Sequence, residues 1–167
     1  LLEERYEDVL KEGVLQDQAG AQVLDVNVGV PGIDERVVMP KVIAMLQGVL
    51  TLPLQIDTGD AQAMEAACRR YNGRPLMNSV NGKRETMEQV FPIVKKYGGV
   101  VIGLTLDEDG IPPSAQQRFA IAERIIETAA SYGIPRSSII IDTLVLTASA
   151  QQAEVIETIR ALRMVRT

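Results

Sequence analysis

A chain of 167 residues, 46% of them apolar, is the size of one soluble domain with a substantial core. A formal net charge of −5 argues against a nucleic-acid partner, because phosphate binding needs a clustered basic face. The longest apolar runs are shorter than the roughly 20 residues that cross a bilayer, so no membrane partner is expected.

Strands and helices are predicted to alternate along the chain, and each apolar strand is followed by turn residues and a helix. In chain order, the predicted elements are helix 4–20, strand 22–28, helix 34–48, strand 53–57, helix 61–71, strand 75–80, helix 84–97, strand 100–106, helix 114–132, strand 138–146 and helix 150–164. Asp34 and Asp60 are typical N-cap residues, and Pro40 predicts an interrupted or late-starting helix. This order indicates an α/β fold with a parallel sheet. The runs VVIGLTL and SIIIDTLVL predict strands that are buried on both faces.

Five short apolar runs, one in each predicted strand, end in an acid or an amide. These residues are Asp25 with Asn27, then Asp57, Asn78, Asp107 and Asp142. A doubly wound sheet gathers its site at one switch point, usually with a glycine-rich phosphate loop, whereas a barrel brings every strand end to one mouth. No such glycine loop is present, so the pattern favours a TIM (β/α)8 barrel. Because a complete barrel takes about 250 residues, we expect a partial barrel of about five central units.

The predicted domain spans residues 1–167 and is expected to be truncated at both ends. No signal peptide precedes Leu1, and the chain does not begin with Met, which favours a piece of a longer protein.

The chain has no histidine and one cysteine, Cys68. Without imidazole there is no Ser-His-Asp or Cys-His machinery and no histidine-ligated zinc site. One thiol cannot form an internal disulfide, which favours a reducing cytoplasm. Its place in MEAACRRY, on the apolar side of a helix, indicates a structural thiol. Chemistry must therefore come from Asp, Glu, Asn, Lys, a cofactor or a partner.

The strand-end residues differ in how well a structural role explains them. Asp57, Asn78 and Asp142 follow apolar residues directly, where an unpaired carboxylate would cost several kcal/mol unless a ligand or donor satisfied it. The run from Asp107 to Asp109 lies further out and is interpreted as a turn or a partner surface. Acids accept hydrogen bonds and amides both donate and accept, so such a set suits the edge of a pterin or guanine ring. A Mg²⁺ or Mn²⁺ site is the competing use, and no metal site is predicted.

Five segments carry a family resemblance. They are GAQVLDVNVGVPGIDE (20–35), LPLQIDTGDAQAMEAA (52–67), GRPLMNSVNG (73–82), YGGVVIGLTLDEDGIP (97–112) and GIPRSSIIIDTLVLTAS (133–149). The chain resembles the pterin-binding methyltransferases: the methyltetrahydrofolate:corrinoid/iron-sulfur protein methyltransferases and the folate-binding domain of cobalamin-dependent methionine synthase. Dihydropteroate synthase is the related branch. Its glycine-rich strand end is not found here, and DVNVG departs from its first-strand signature.

The resemblance implies an enzyme that binds methyltetrahydrofolate and passes its methyl group to the cobalt of a corrinoid. The cobalamin or corrinoid would be carried by a partner protein or domain. Asp142 is then expected to accept from the exocyclic amine and a ring N–H of the pterin. Asp57 and Asn78 would bind the other ring nitrogens and act as the catalytic residues, with Asp57 as proton relay. Asp25 and Asn27 would line the floor.

Two departures and two alternatives accompany this interpretation. Thr143 stands where the family generally has proline after the strand-end acid. The family's asparagine for the methyl-bearing nitrogen would lie beyond Thr167, so this piece alone is expected to bind pterin weakly or not at all and to be inactive. The alternatives are a condensing enzyme like dihydropteroate synthase, which needs a basic pyrophosphate site, and a non-catalytic, truncated folate-binding barrel. The assembly is left open, with a homodimer as one candidate.

Overall fold

A computed structural model of the protein describes residues 6–146 and 152–166. Its elements are α1 Tyr6–Gln18, β1 Leu24–Asn27, α2 Glu35–Val49, β2 Leu54–Asp57, α3 Ala61–Cys68, β3 Leu76–Asn81, α4 Arg84–Tyr97, β4 Val100–Leu104, α5 Ala115–Ser131, a short 3₁₀ helix Arg136–Ser138, β5 Ile139–Asp142 and α6 Gln152–Arg166. In these ranges five parallel strands alternate with helices. The predicted α/β class and its five strand–helix repeats are therefore confirmed. The first two residues of predicted helices 4–20 and 150–164 lie outside the described residues.

Contacts divide the chain into two units, of which the first comprises Leu1–Asn78 and Lys96–Val100. Here β1, β2 and the start of β3 pair in parallel register. Alternate residues of β1 and β2 are buried, namely Leu24, Val26, Leu54 and Ile56. The inward residues of α2 and α3 are buried as well. Because strand side chains alternate between faces, the residues between the buried ones, including Asp25 and Asp57, lie on the opposite face.

The second unit comprises Ser79–Lys95 and Val101–Thr167. Strands β4 and β5 pair in parallel, with Leu104 opposite Asp142. Helix α5 buries Ile121, Ile125 and Ala129, and it packs against α6. Leu104 and Asp142 therefore lie at the carboxyl ends of their strands, on one face.

The prediction that the strands are buried on both faces is wrong for β5. Ile140 is 48% exposed, and Asp142 is exposed as well. The predicted strand 138–146 was also too long, because β5 stops at Asp142. Leu144 has a φ of +57°, in the left-handed region that a strand cannot contain. An apolar run in the sequence does not reveal which residue makes such a turn.

Helix α2 begins at Glu35 and continues through Pro40, so the predicted interruption is wrong. Asp34 caps the helix as predicted, and its side chain accepts a hydrogen bond from the N–H of Arg36. Pro40 removes the bond to the carbonyl of Arg36, a residue that is exposed and open to water. Helix α3 ends at Cys68, three residues earlier than predicted.

Cys68 lies in the core of the first unit, as the structural interpretation predicts. It is 3% exposed, and burial raises the pKa of its thiol to about 12. At neutral pH the thiol is protonated, which makes it a poor nucleophile. Of the helices in the described ranges, none is both long enough and apolar enough to cross a membrane.

Candidate functional site

Three strand-end side chains of the first unit lie side by side. The register places Asn27 opposite Asp57 and Asp57 opposite Asn78. Neighbouring strands are about 4.8 Å apart, so residues in register project from the same edge of the sheet. The Nδ2 of Asn27 donates to Oδ2 of Asp57 across 2.9 Å. We call Asn27, Asp57 and Asn78 the strand-end row.

The orientation of Asn27 is fixed by the turn that follows β1. Its Oδ1 accepts a hydrogen bond from the N–H of Gly29 at 2.8 Å, which leaves the amide nitrogen to face Asp57. A Cβ on Gly29 would lie 3.2 Å from Asn27 Oδ1 and 3.4 Å from Glu35 Oε1. An aspartate at position 27 could not make both bonds, because a carboxylate only accepts. The amide is therefore required for the geometry of the row.

Asp25 and Gln55 form a second polar layer on the same face, two residues before the row. They are register partners, and Gln55 Nε2 donates to Asp25 Oδ1. Partial burial raises the pKa of Asp25 and the carboxylate of Asp57 raises it further, while the hydrogen bond from Gln55 opposes both. Asp25 is therefore protonated more readily than an ordinary aspartate.

Glu35 and Thr58 lie at the rim of the row, although neither is among the site residues that the sequence predicts. Thr58 is 5% exposed, and its hydroxyl donates to Glu35 Oε2 at 2.6 Å while accepting from the N–H of Asp60 at 3.1 Å. Its own N–H donates to the carbonyl of Asn78 at 3.0 Å. The one available signal was the position of Thr58 directly after Asp57. Nothing local marks Glu35, which reads as the first residue of a helix.

Asp34 and Asp60 are helix caps, as predicted, and do not belong to the row. Asp60 Oδ1 accepts from the N–H of Gln62 at 2.8 Å. Asp34 is paired with Arg36 through two side-chain hydrogen bonds of 2.9 and 3.0 Å. That contact, chiefly the hydrogen bond, lowers the pKa of Asp34. Both acids have partners that account for their positions.

Asp142 stands at the end of β5 in the second unit. Its backbone carbonyl accepts from the N–H and the hydroxyl of Thr105, at 3.1 and 3.2 Å. Its Oδ1 accepts from the N–H of Leu144 at 2.8 Å. Thr143 is buried, and its hydroxyl donates to the carbonyl of Thr158 at 3.3 Å. The departure from proline at position 143 therefore gives this turn a hydrogen bond to α6 that proline could not form.

The segment from Asp107 to Asp109 is a closed turn, in line with its interpretation as a loop. Asp107 Oδ1 accepts from the N–H of Asp109 at 3.2 Å, and the backbones of Asp107 and Gly110 bond to each other. Arg124 lies 3.8 Å from the Asp107 carboxylate. Within the described residues, no group of three His, Cys, Asp or Glu side chains is arranged to hold a metal ion.

The sequence profile described as pterin binding enzyme matches residues 1–167. The chain belongs to this family. It is 33% identical to methionine synthase of Mycobacterium tuberculosis and 30% identical to methionine synthase of Mycobacterium leprae, in each case over 98% of this chain. The chain spans 14% of the length of either relative. The resemblance read from the sequence is confirmed at this level.

Solved structures of dihydropteroate synthases have the same fold. The enzyme of Thermus thermophilus superposes with a TM-score of 0.77, at 19% identity, over 96% of this chain and 63% of that one. The enzyme of Xanthomonas albilineans in complex with 7,8-dihydropteroate gives a TM-score of 0.76, at 20% identity, over 95% of this chain and 61% of that one. At these identities the likeness shows the fold alone. It agrees with the partial TIM (β/α)8 barrel that the strand-end pattern predicts.

Proposed function

We propose that this chain binds methyltetrahydrofolate, and that the protein containing it transfers the methyl group to the cobalt of a corrinoid or cobalamin. The observation that carries the proposal is the strand-end row, in which Asn27 donates to Asp57 and Asn78 lies next in register. The identity to methionine synthases supports the same direction. The dihydropteroate synthase likeness bears on the fold and adds nothing to the choice of reaction.

The row suits the edge of a pterin because it combines acceptors with an amide. Asp57 keeps lone pairs for ring N–H donors after accepting from Asn27, and Asn78 can both donate and accept. Asp25 lies one layer below and closes the floor. We assign Asp142 the exocyclic amine and its neighbouring ring N–H, on the family resemblance. The Asp142 carboxylate would set the orientation of the pterin ring. The entropy lost on binding is small when the acceptor atoms are already held in place.

Methyl transfer requires the folate nitrogen that loses the methyl group to gain a proton or a strong hydrogen bond. A reduced corrinoid on a partner domain would supply the cobalt that accepts the methyl group. Within the chain, Asp57 is our candidate for relaying the proton and Asn78 for holding the ring. Asp25 is a nearby carboxyl that holds a proton more readily than usual, which suits the supply end of such a relay. The chain has no histidine, so we assign this proton transfer to its carboxyl groups and to water.

The reaction is tested on the full gene product with methyl-labelled methyltetrahydrofolate and reduced cobalamin. We expect the label to reach cobalamin, and we expect Asp57→Asn to slow the transfer by tenfold or more because it removes a carboxylate from the proton path. Asp60→Asn is the matched control, since asparagine is an equally good N-cap and should leave the rate unchanged.

Two other outcomes would replace this proposal. Binding of the folate without any transfer would favour the non-catalytic barrel. Formation of dihydropteroate from p-aminobenzoate and a dihydropterin pyrophosphate would favour the condensing enzyme. Three further predictions remain: a cytoplasmic location, a homodimer and a cobalamin-carrying partner. Cell fractionation addresses the first, and size measurement of the purified protein addresses the other two.

A further inference from the structure

Arg118 of α5 is the largest fully buried side chain among the described residues, with 0% exposure. Arginine is rarely buried without a charged partner. Its guanidinium instead donates mainly to backbone carbonyls. Nε bonds the carbonyl of Pro112 at 2.8 Å, and Nη1 bonds those of Thr143 at 2.9 Å and Leu144 at 2.8 Å. The two residues held by Nη1 directly follow Asp142.

Arg118 forms only a loose ion pair with Glu154. Glu154 Oε2 lies 3.7 Å from Nη2, which is beyond hydrogen-bond distance, and Nη2 has no hydrogen-bond partner among the described residues. The hydroxyl of Thr158 accepts from Nη1 at 2.7 Å. Because most of its hydrogen bonds go to backbone carbonyls, the buried guanidinium holds the backbone that carries those carbonyls in one conformation.

The backbone that Arg118 holds is an unusual turn. Leu144 has a φ of +57°, a region that residues with side chains seldom occupy unless their surroundings impose it. In this conformation its N–H donates to Asp142 Oδ1. The carbonyls on both sides of that N–H group, those of Thr143 and Leu144, are the ones that Nη1 binds.

We infer that Arg118 is a positioning residue for Asp142: it locks the turn at Leu144, whose N–H occupies Oδ1 and directs Oδ2 of the carboxylate to the ligand. Oδ2 receives no hydrogen bond from the described residues. The step from an oriented carboxylate to pterin recognition rests on the proposed function, whereas the locking of the turn does not. Lysine cannot replace the arginine, because a single ammonium lacks the planar fork that reaches Pro112 and the turn together.

The locking is tested first, without any ligand, by hydrogen exchange at the Leu144 amide in the full gene product. We expect exchange to accelerate about tenfold or more in Arg118→Lys and Arg118→Met, because the turn loses its donors. Arg124→Met is the matched control on the same helix and should leave this amide unchanged. If Arg118→Met does not fold, Thr158→Val removes one partner of Nη1 and should give a smaller acceleration. Unchanged exchange at Leu144 in the folded Arg118 variants overturns the inference.

The second test asks whether the turn serves recognition of the amine. Pterin and lumazine are titrated as probes, because lumazine carries a carbonyl in place of the exocyclic amine. We expect the wild type to prefer pterin and Arg118→Lys to lose most of that preference. An equal loss of affinity for both probes would mean a merely structural role and would overturn the inference. If the wild type binds neither probe and does not bind methyltetrahydrofolate, the proposed function fails, and the exchange experiment still decides whether Arg118 locks the turn.

Discussion

The two units hold their strand-end acids by different means. In the first unit, Asp57 is held by the side chain of Asn27 on the neighbouring strand. In the second, Asp142 is held by the N–H of Leu144, two residues further along its own chain, with the buried Arg118 behind that turn. The first arrangement depends on strand register, and the second depends on one backbone conformation.

This difference determines how each acid responds to substitution. A change in the strand-end row removes a contact between half-buried or exposed side chains, so binding should change more than stability. A change around Asp142 also disturbs the left-handed backbone of Leu144 and the buried charge of Arg118. Binding and stability should therefore both change. Measuring affinity and unfolding free energy together on the same variants separates the two arrangements.

The largest effect is expected for Asp142→Ala. It removes the acceptor proposed for the pterin amine and the acceptor of the Leu144 N–H, so affinity for methyltetrahydrofolate should fall about 100-fold or more, at about 1.5–3 kcal/mol for each charged hydrogen bond. The unfolding free energy should also fall, by about 1–2 kcal/mol. Asp142→Asn keeps one acceptor and should lose less of both. Wild-type affinity in both variants would remove Asp142 from the site.

A smaller effect is expected for Asn27→Ala in the first unit. Asp57 loses its donor and the Gly29 N–H loses its acceptor, so affinity should fall about tenfold. Stability should change by less than about 0.5 kcal/mol, since Asn27 is exposed.

Asp60→Ala is the matched control, measured by fluorescence titration and urea unfolding. The loss of its N-cap should cost about 1 kcal/mol of stability while affinity is kept. An equal loss of affinity in the two variants would mean that the row has no special part in binding.

The smallest effect concerns Asp25 and depends on pH. Its folded-state pKa is raised, chiefly by burial, so the folded chain holds this proton at pH values where the unfolded chain has released it. Its contribution to stability is therefore present below the unfolded pKa of about 3.9 and is lost as pH rises through the folded value. Asp25→Asn should be more stable than the wild type at pH 7, by about 0.5 kcal/mol or less, because the side chain is only partly buried. The difference should vanish near pH 4, and a less stable variant at pH 7 would contradict the assigned cause.

The sequence was sufficient for the features that depend on local patterns. Alternating apolar runs predict the order of strands and helices, and the sequence identifies Asp34 and Asp60 as caps because capping is a short-range interaction. That Asp57 and Asn78 lie together was predictable because the carboxyl ends of parallel strands meet at one edge. The sequence places Asn27 with Asp25 on the floor, whereas in the structure Asn27 bonds to Asp57.

The features that the sequence did not reveal depend on contacts between distant residues. Glu35 reaches Thr58 across 23 positions, and Arg118 reaches Leu144 across 26. No periodicity marks either pair. The end of β5 was missed for a similar reason: the residues after Asp142 remain apolar, and the turn at Leu144 is held by α5.

The most direct test of the central claim is a titration of the full gene product with methyltetrahydrofolate, followed by pterin fluorescence, in the wild type and in Asn78→Ala. Asn78 belongs to the strand-end row, and its side chain makes no hydrogen bond to the described residues, so its removal should not disturb other contacts. If the row binds a pterin, the wild type will saturate and Asn78→Ala will bind about tenfold or more weakly at unchanged unfolding free energy. Absence of saturable binding in the wild type, or equal affinity in the two proteins, would contradict the claim.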